Sequence, residues 1–171
     1  PCSSAASDVY KRQPLLLEEY DVSWYLHKDD FFLQSLAQKS GMRWGFNLPD
    51  PAVADKLLFD EMDLKLGTLN FKIMHTPGHT LGGCCIMVDV NDGPNHLFAG
   101  DTLFAGSVGR TDLPNTGGDF SVLSNSIITK LWPLDEDTVV HPGHGPTTTI
   151  GVEKTTNPYV GSDSPAFGKY H

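Results

Sequence analysis

The chain of 171 residues is 39% hydrophobic and 19% charged, which is one domain's worth of material with a core that needs no disulfide staples. Its 12 basic and 21 acidic residues leave a net charge of −9, which argues against a nucleic-acid partner, because phosphate binding takes clustered Lys and Arg. No apolar run approaches the roughly 20 residues of a membrane span. The three cysteines (Cys2 and the adjacent pair Cys84 and Cys85) suit a reducing, cytoplasmic protein better than a disulfide framework.

In chain order, residues 3–13 read SSAASDVYKRQ and resemble a translated transposase sequencing adapter. Such a scar is set apart before the fold is considered, together with Pro1 and Cys2. On that reading the domain proper is residues 14–171, and an upstream part is missing. Leu15 to Glu19 reads as the tail of a helix. Val22 to Leu26 is apolar, aromatic and β-branched, which predicts a strand. Asp29 or Asp30 is placed to open a helix through Phe31, Phe32, Leu33, Leu36 and Ala37, ended by Gly41. Met42 to Pro51 reads as a loop covering a cleft.

Leu64 to Leu66 and Leu69 to Met74, joined at Gly67-Thr68, predict a hairpin. Cys84 to Val90 predicts a buried strand, and Asn91 to Pro94 a turn. His96 to Ala99 predicts another strand, followed by a Gly-rich loop over 106–118. Asp119 is placed to cap a helix through Val122, Leu123, Ile127 and Leu131. Thr138 to Val140 predicts a short strand and Ile150 to Thr156 a last helix. Alternating strands and helices point to an α/β layered domain.

Four of the seven histidines fall in two motifs, His75-Thr-Pro-Gly-His79-Thr80 and His141-Pro-Gly-His144-Gly145. Each follows an apolar strand. The Pro-Gly pair excludes a helix, so each motif is a strand-end loop presenting an imidazole. Leu97-Phe98-Ala99-Gly100-Asp101-Thr102 likewise ends an apolar strand in a carboxylate. Imidazole and carboxylate on three strand-end loops are the donors of a first-row metal site. The competing reading puts His75 and His141 in the core and makes His79 and His144 capping residues.

The order His-x-Pro-Gly-His-Thr, Gly-Asp-Thr-Leu-Phe, Gly-Arg-Thr-Asp-Leu-Pro and Pro-Gly-His-Gly-Pro resembles the metallo-β-lactamase-fold hydrolases. Short, single-domain, glyoxalase II-like (hydroxyacylglutathione hydrolase-like) members are the nearest match. The resemblance implies an αββα four-layer sandwich, of which residues 14–171 form the C-terminal two-thirds or more. It assigns His79 to the first metal, Asp101 to a bridge between two metals and His144 to the second. His75 and His141 receive no ligand role and are left as candidates for partners that support the ligands. The family's leading motif, His-x-His-x-Asp-His, appears nowhere in the sequence, so the first metal motif and the N-terminal strands are expected to be missing.

The implied reaction uses two divalent metal ions, zinc by default with iron or manganese as alternatives. A metal-bound hydroxide attacks the carbonyl of a small-molecule thioester such as an acylglutathione, and Asp101 has the catalytic role of holding the metals together. Arg110 is placed either to bind a substrate carboxylate or to brace its loop through Asp112. The chain ends 27 residues after His144, too soon for the helical domain that helps glyoxalase II bind glutathione. Two readings compete with the hydrolase: a mononuclear iron persulfide dioxygenase of the same superfamily, and a non-catalytic fragment. For residues 1–171 alone, weak metal binding and no turnover are expected. The sequence leaves the oligomeric state open.

Overall fold

A computed structural model describes residues 16–34 and 53–164. They fall into two compact units, one within Pro1–Leu58 and the other within Phe59–His171.

In the first unit, residues 16–19 are helical, as the sequence suggested. The strand expected at Val22 to Leu26 starts later. Strand β1 is Tyr25–His27 and pairs in parallel with β2, Lys56–Leu58. The Val22 N–H is spent on the Tyr20 carbonyl at 3.0 Å, closing a turn that leaves it no ladder bond. Trp24 instead anchors the pair from its own end, donating its N–H to Asp55 Oδ2 at 2.9 Å. The helix expected from Asp29 or Asp30 opens one step earlier, as a 3₁₀ turn over Lys28–Asp30. His27 caps it, its Nδ1 accepting the Asp29 N–H at 3.3 Å. Residues 31–34 continue helically. The rest of that helix and the cleft-covering loop over 42–51 lie outside the described residues.

The second unit carries the site. Its strands are β3 (Asp63–Leu66), β4 (Leu69–His75), β5 (Cys84–Asp89), β6 (His96–Gly100), β7 (Leu103–Phe104), β8 (Ser107–Val108), β9 (Val139–Pro142) and β10 (Thr148–Thr149). The predicted hairpin is present as β3 and β4, turning at Gly67 with φ +60°. The Gly-rich loop opens with β8, which pairs with β7 just before it in a small hairpin that the sequence reading missed. Helix α1, Phe120–Ser126, is capped by Asp119, which accepts from the N–H groups of Ser121 and Val122. It runs on through a π-helical turn at Ile127–Leu131. Helix α2 is Ile150–Thr156, as predicted.

Six strands form one mixed sheet in the order β10-β9-β6-β5-β4-β3. All neighbours are antiparallel except β6 and β9, which are parallel. A parallel neighbour requires a long crossover, and the α1 region provides it. Two antiparallel steps, from β4 to β5 and from β5 to β6, restore direction. Strands β4, β6 and β9 therefore all run the same way, and their C-terminal loops leave one edge of the sheet. Those loops carry His79, Asp101 and His144.

Strand periodicity sorts the faces. Met74, Cys85, Met87, Leu97, Ala99 and Val140 share a core with Leu123, Ile127, Leu131, Trp132 and Ile150 from the helical side. Ile86, Phe98 and His141 alternate onto the other face. Of the four expected layers, residues 59–164 supply one sheet and one helical layer.

Leu123 is fully buried between α1 and the sheet. Leu123→Ala should cost about 2–5 kcal/mol in denaturant unfolding, the usual range for a fully buried leucine. A second expectation concerns acid. Asp60 accepts the His75 N–H at 2.7 Å and the Lys130 ammonium at 2.6 Å. Partial burial pushes its carboxyl up, but these donors outweigh burial and hold it below the usual carboxylate range. A depressed folded-state value means stability that is present above the unfolded value and lost as pH falls through the folded one. Stability measured against pH should therefore fall less steeply on the acid side in Asp60→Asn than in the wild type.

Candidate metal centre

Asp101 stands at the tip of β6 with one carboxylate oxygen toward each imidazole. His79 Nε2 lies 3.5 Å from Asp101 Oδ2, and His144 Nε2 lies 3.6 Å from Asp101 Oδ1. The structure thus brings together the three residues that the sequence selected as ligands. Both separations exceed a good hydrogen bond. The His79 and Asp101 side chains are about one-fifth and one-third exposed (19% and 32%), so the centre is open to solvent but not flush with it.

Orientation comes from the backbone. His79 Nδ1 lies 2.6 Å from the Arg110 carbonyl oxygen. A carbonyl only accepts, so Nδ1 is the donor in this contact, and Nε2 is the nitrogen turned toward Asp101. His144 packs edge-on against Phe104, with ring centroids 5.8 Å apart.

Two glycines make room for the carboxylate. A Cβ on Gly143 would lie 2.4 Å from Asp101 Oδ1, and one on Gly109 would lie 1.8 Å from the Asp101 carbonyl oxygen and 3.3 Å from His79 Cβ. The Gly143 N–H donates to the Gly100 carbonyl at 2.7 Å, tying the β9 loop to the β6 tip. Beneath them Thr76, just before the first Pro-Gly, and Thr102, just after Asp101, are buried with hydroxyls 3.1 Å apart. Neither threonine was singled out in the sequence, although each lies within a motif quoted for its neighbours.

The remaining candidates are engaged in support. His75 Nε2 lies 2.9 Å from the Leu81 carbonyl, closing the loop that carries His79. His141 Nε2 pairs with His96 Nδ1 at 2.8 Å, and its ring stacks on His96 and Phe98. His96 had no predicted role. Arg110 grips Asp112 through two bonds of 2.9 and 3.0 Å, the brace weighed against substrate binding. That pairing lowers the Asp112 carboxyl below its ordinary range. Cys85 is fully buried, burial pushes its thiol up, and it sits 3.3 Å from Thr76 Oγ1. It belongs to the core, on the strand predicted to be buried. Asp135, Glu136 and Asp137 are exposed, as expected of a solvated turn. No helix among the described residues is long and apolar enough to cross a membrane.

The profile of the metallo-beta-lactamase superfamily matches residues 14–144. The chain is 41% identical over 138 residues to the hydroxyacylglutathione hydrolase GloC of Haemophilus influenzae, spanning 80% of this chain and 62% of that protein. It is 34% identical over 145 residues to a Bacillus subtilis protein named "Probable metallo-hydrolase YqgX", spanning 84% of this chain and 66% of that one. The chain thus spans rather under two-thirds of the length of these relatives. Its fold superposes on TTHA1623, solved in a di-iron-bound form, with TM-score 0.74 and 38% identity over 88% of this chain and 71% of that one. The three strand-end loops, the mixed sheet and these matches together place the chain in the metallo-beta-lactamase superfamily.

Proposed function

We propose that this chain belongs to a metal-dependent hydrolase that cleaves a small-molecule thioester such as an acylglutathione. The observation that carries the reading is the Asp101 carboxylate set between two imidazoles, one oxygen to each. The relative named as an acylglutathione hydrolase supplies the substrate class.

The residues fit divalent ions. Two imidazole nitrogens and a carboxylate are the donors that zinc, iron and manganese take. His79 arrives with its tautomer fixed by the Arg110 carbonyl, so its Nε2 is free to bind. His79, Asp101 and His144 would hold such ions, Asp101 presenting one carboxylate oxygen toward each imidazole. Divalent ions, when bound, would supply an activated water near neutral pH and polarise a carbonyl. A thioester has a good leaving group, so the site needs no strong general acid.

Arg110 serves the substrate's carboxylate in this reading. Its present partner is Asp112, and the two side chains are 52% and 72% exposed. Exposed pairs contribute little. A substrate carboxylate can therefore take the guanidinium fork from Asp112 without a large penalty. His75 and His141 support the loops rather than hold ions.

The same donor set also suits a single iron(II), the case of a persulfide dioxygenase. The metal-loaded parent protein separates the two, since residues 1–171 alone are expected to show no turnover. Thiol release from an acylglutathione without oxygen supports the hydrolase, whereas one iron per chain with oxygen uptake on a persulfide supports the dioxygenase.

Zinc titration against a chromophoric chelator tests the site itself. His79→Ala, Asp101→Asn and His144→Ala should each weaken zinc binding by more than about tenfold. Equal affinity in all three would remove the proposed centre. Gly143→Ala should weaken binding too, since its Cβ displaces Asp101 Oδ1, while melting within a few degrees of the wild type. Where acylglutathione turnover is measurable, Arg110→Ala should raise KM with little change in kcat, the mark of lost uniform binding.

A further inference from the structure

Glu153 on α2 is 2% exposed, and among the described residues it has no cationic partner. A buried carboxylate without a cation must be held by donors. Glu153 has three. Its Oε2 accepts the Gly106 N–H at 2.9 Å and the Asn157 amide at 2.8 Å, and its Oε1 accepts the Thr148 hydroxyl at 2.7 Å. Asn157, equally buried, donates from the same amide to the Ser107 carbonyl at 3.1 Å. Two buried side chains of one short segment thus hold consecutive backbone groups of the β7–β8 turn.

That turn leads directly to the metal centre. Gly106 turns it with φ +68°. Two residues after Ser107, Gly109 lies against the Asp101 backbone and His79 Cβ and donates its N–H to the Thr102 carbonyl at 3.3 Å. Arg110 then offers the carbonyl that takes the His79 Nδ1 proton. The hairpin has only two paired positions, Leu103 with Val108 and Phe104 with Ser107. So short a ladder does not fix its own position. Leu103 seats its first strand in the core, and the orientation of its turn falls to the groups that grip that turn from outside.

We propose that Glu153, together with Asn157, is a positioning residue for the metal centre: it sets the Gly106–Arg110 segment so that the Arg110 carbonyl orients the His79 imidazole. The inference rests on the metal-centre reading above. It requires the carboxylate's geometry, not its charge. A glutamine can keep an oxygen on Gly106 and Asn157 while turning its amide toward the Thr148 hydroxyl, which can rotate to accept. A leucine of similar size cannot.

The test uses the full chain and zinc alone. In Glu153→Leu the ring nitrogen shifts of His79 should lose the Nδ1-protonated signature, and zinc affinity should fall about tenfold or more. Glu153→Gln should restore both. Thr148→Val removes a bond to the same carboxylate but none to the hairpin, so it should leave both at wild-type values. If Glu153→Leu keeps the His79 signature and the zinc affinity, the inference is overturned. Should Glu153→Leu fail to fold, hydrogen exchange on the wild type decides. Coupling is reciprocal, so zinc should slow exchange at the Gly106 N–H, and an unchanged rate would overturn the proposal. The underlying reading fails separately, if wild-type zinc binding is indifferent to His79→Ala.

Discussion

The molecule's chemistry depends on the shared direction of β4, β6 and β9. Two antiparallel steps and one parallel step give all three strands one polarity, so three loops far apart in sequence leave the same sheet edge. Reversing any one strand would send its loop to the opposite edge. Asp101 sits between the two histidine loops because β6 lies between β4 and β9 in the sheet. The carboxylate between two imidazoles is a consequence of strand order before it is a feature of the side chains.

Strand order brings the loops near one another, and close backbone approaches set their positions. Gly109 and Gly143 allow neighbouring backbone to close on Asp101 where any Cβ would collide. Buried Thr76 and Thr102 join the two loops from below through their hydroxyls. The Arg110 carbonyl then chooses the His79 tautomer. In the proposed metal site the His79 imidazole finds the partner for its other nitrogen in the main chain. The site is therefore held by rigid elements and close approaches, not by long side chains crossing the cleft.

Much of this was legible in the sequence. His79, Asp101 and His144 could be read because each follows an apolar run and a turn-forming glycine or Pro-Gly pair, which fixes both location and direction. The Asp119 cap was legible because a polar cap followed by apolar spacing has few other solutions, and α2 also lies where a last helix was expected. The strand near Val22 was misplaced because an apolar, β-branched pattern does not show whether the Val22 N–H has a ladder partner or turns back to Tyr20. The Arg110 role was left between two readings, since a guanidinium suits either carboxylate and only the fold shows Asp112 within reach.

The sequence by itself placed His79, Asp101 and His144 at strand ends, predicted the strands that lead to Asp101 and His144, and pointed to the family. These are local properties, written in spacing and turn chemistry. Tertiary structure alone decided which backbone oxygen holds His79, why His96 and His141 pair, and that Glu153 reaches a turn 47 residues earlier. A glutamate on a short helix looks like a solvated face in one dimension. It becomes a buried clamp only when α2 packs beside the β7–β8 hairpin, and backbone donors and acceptors carry no mark in the sequence of the partners they will find.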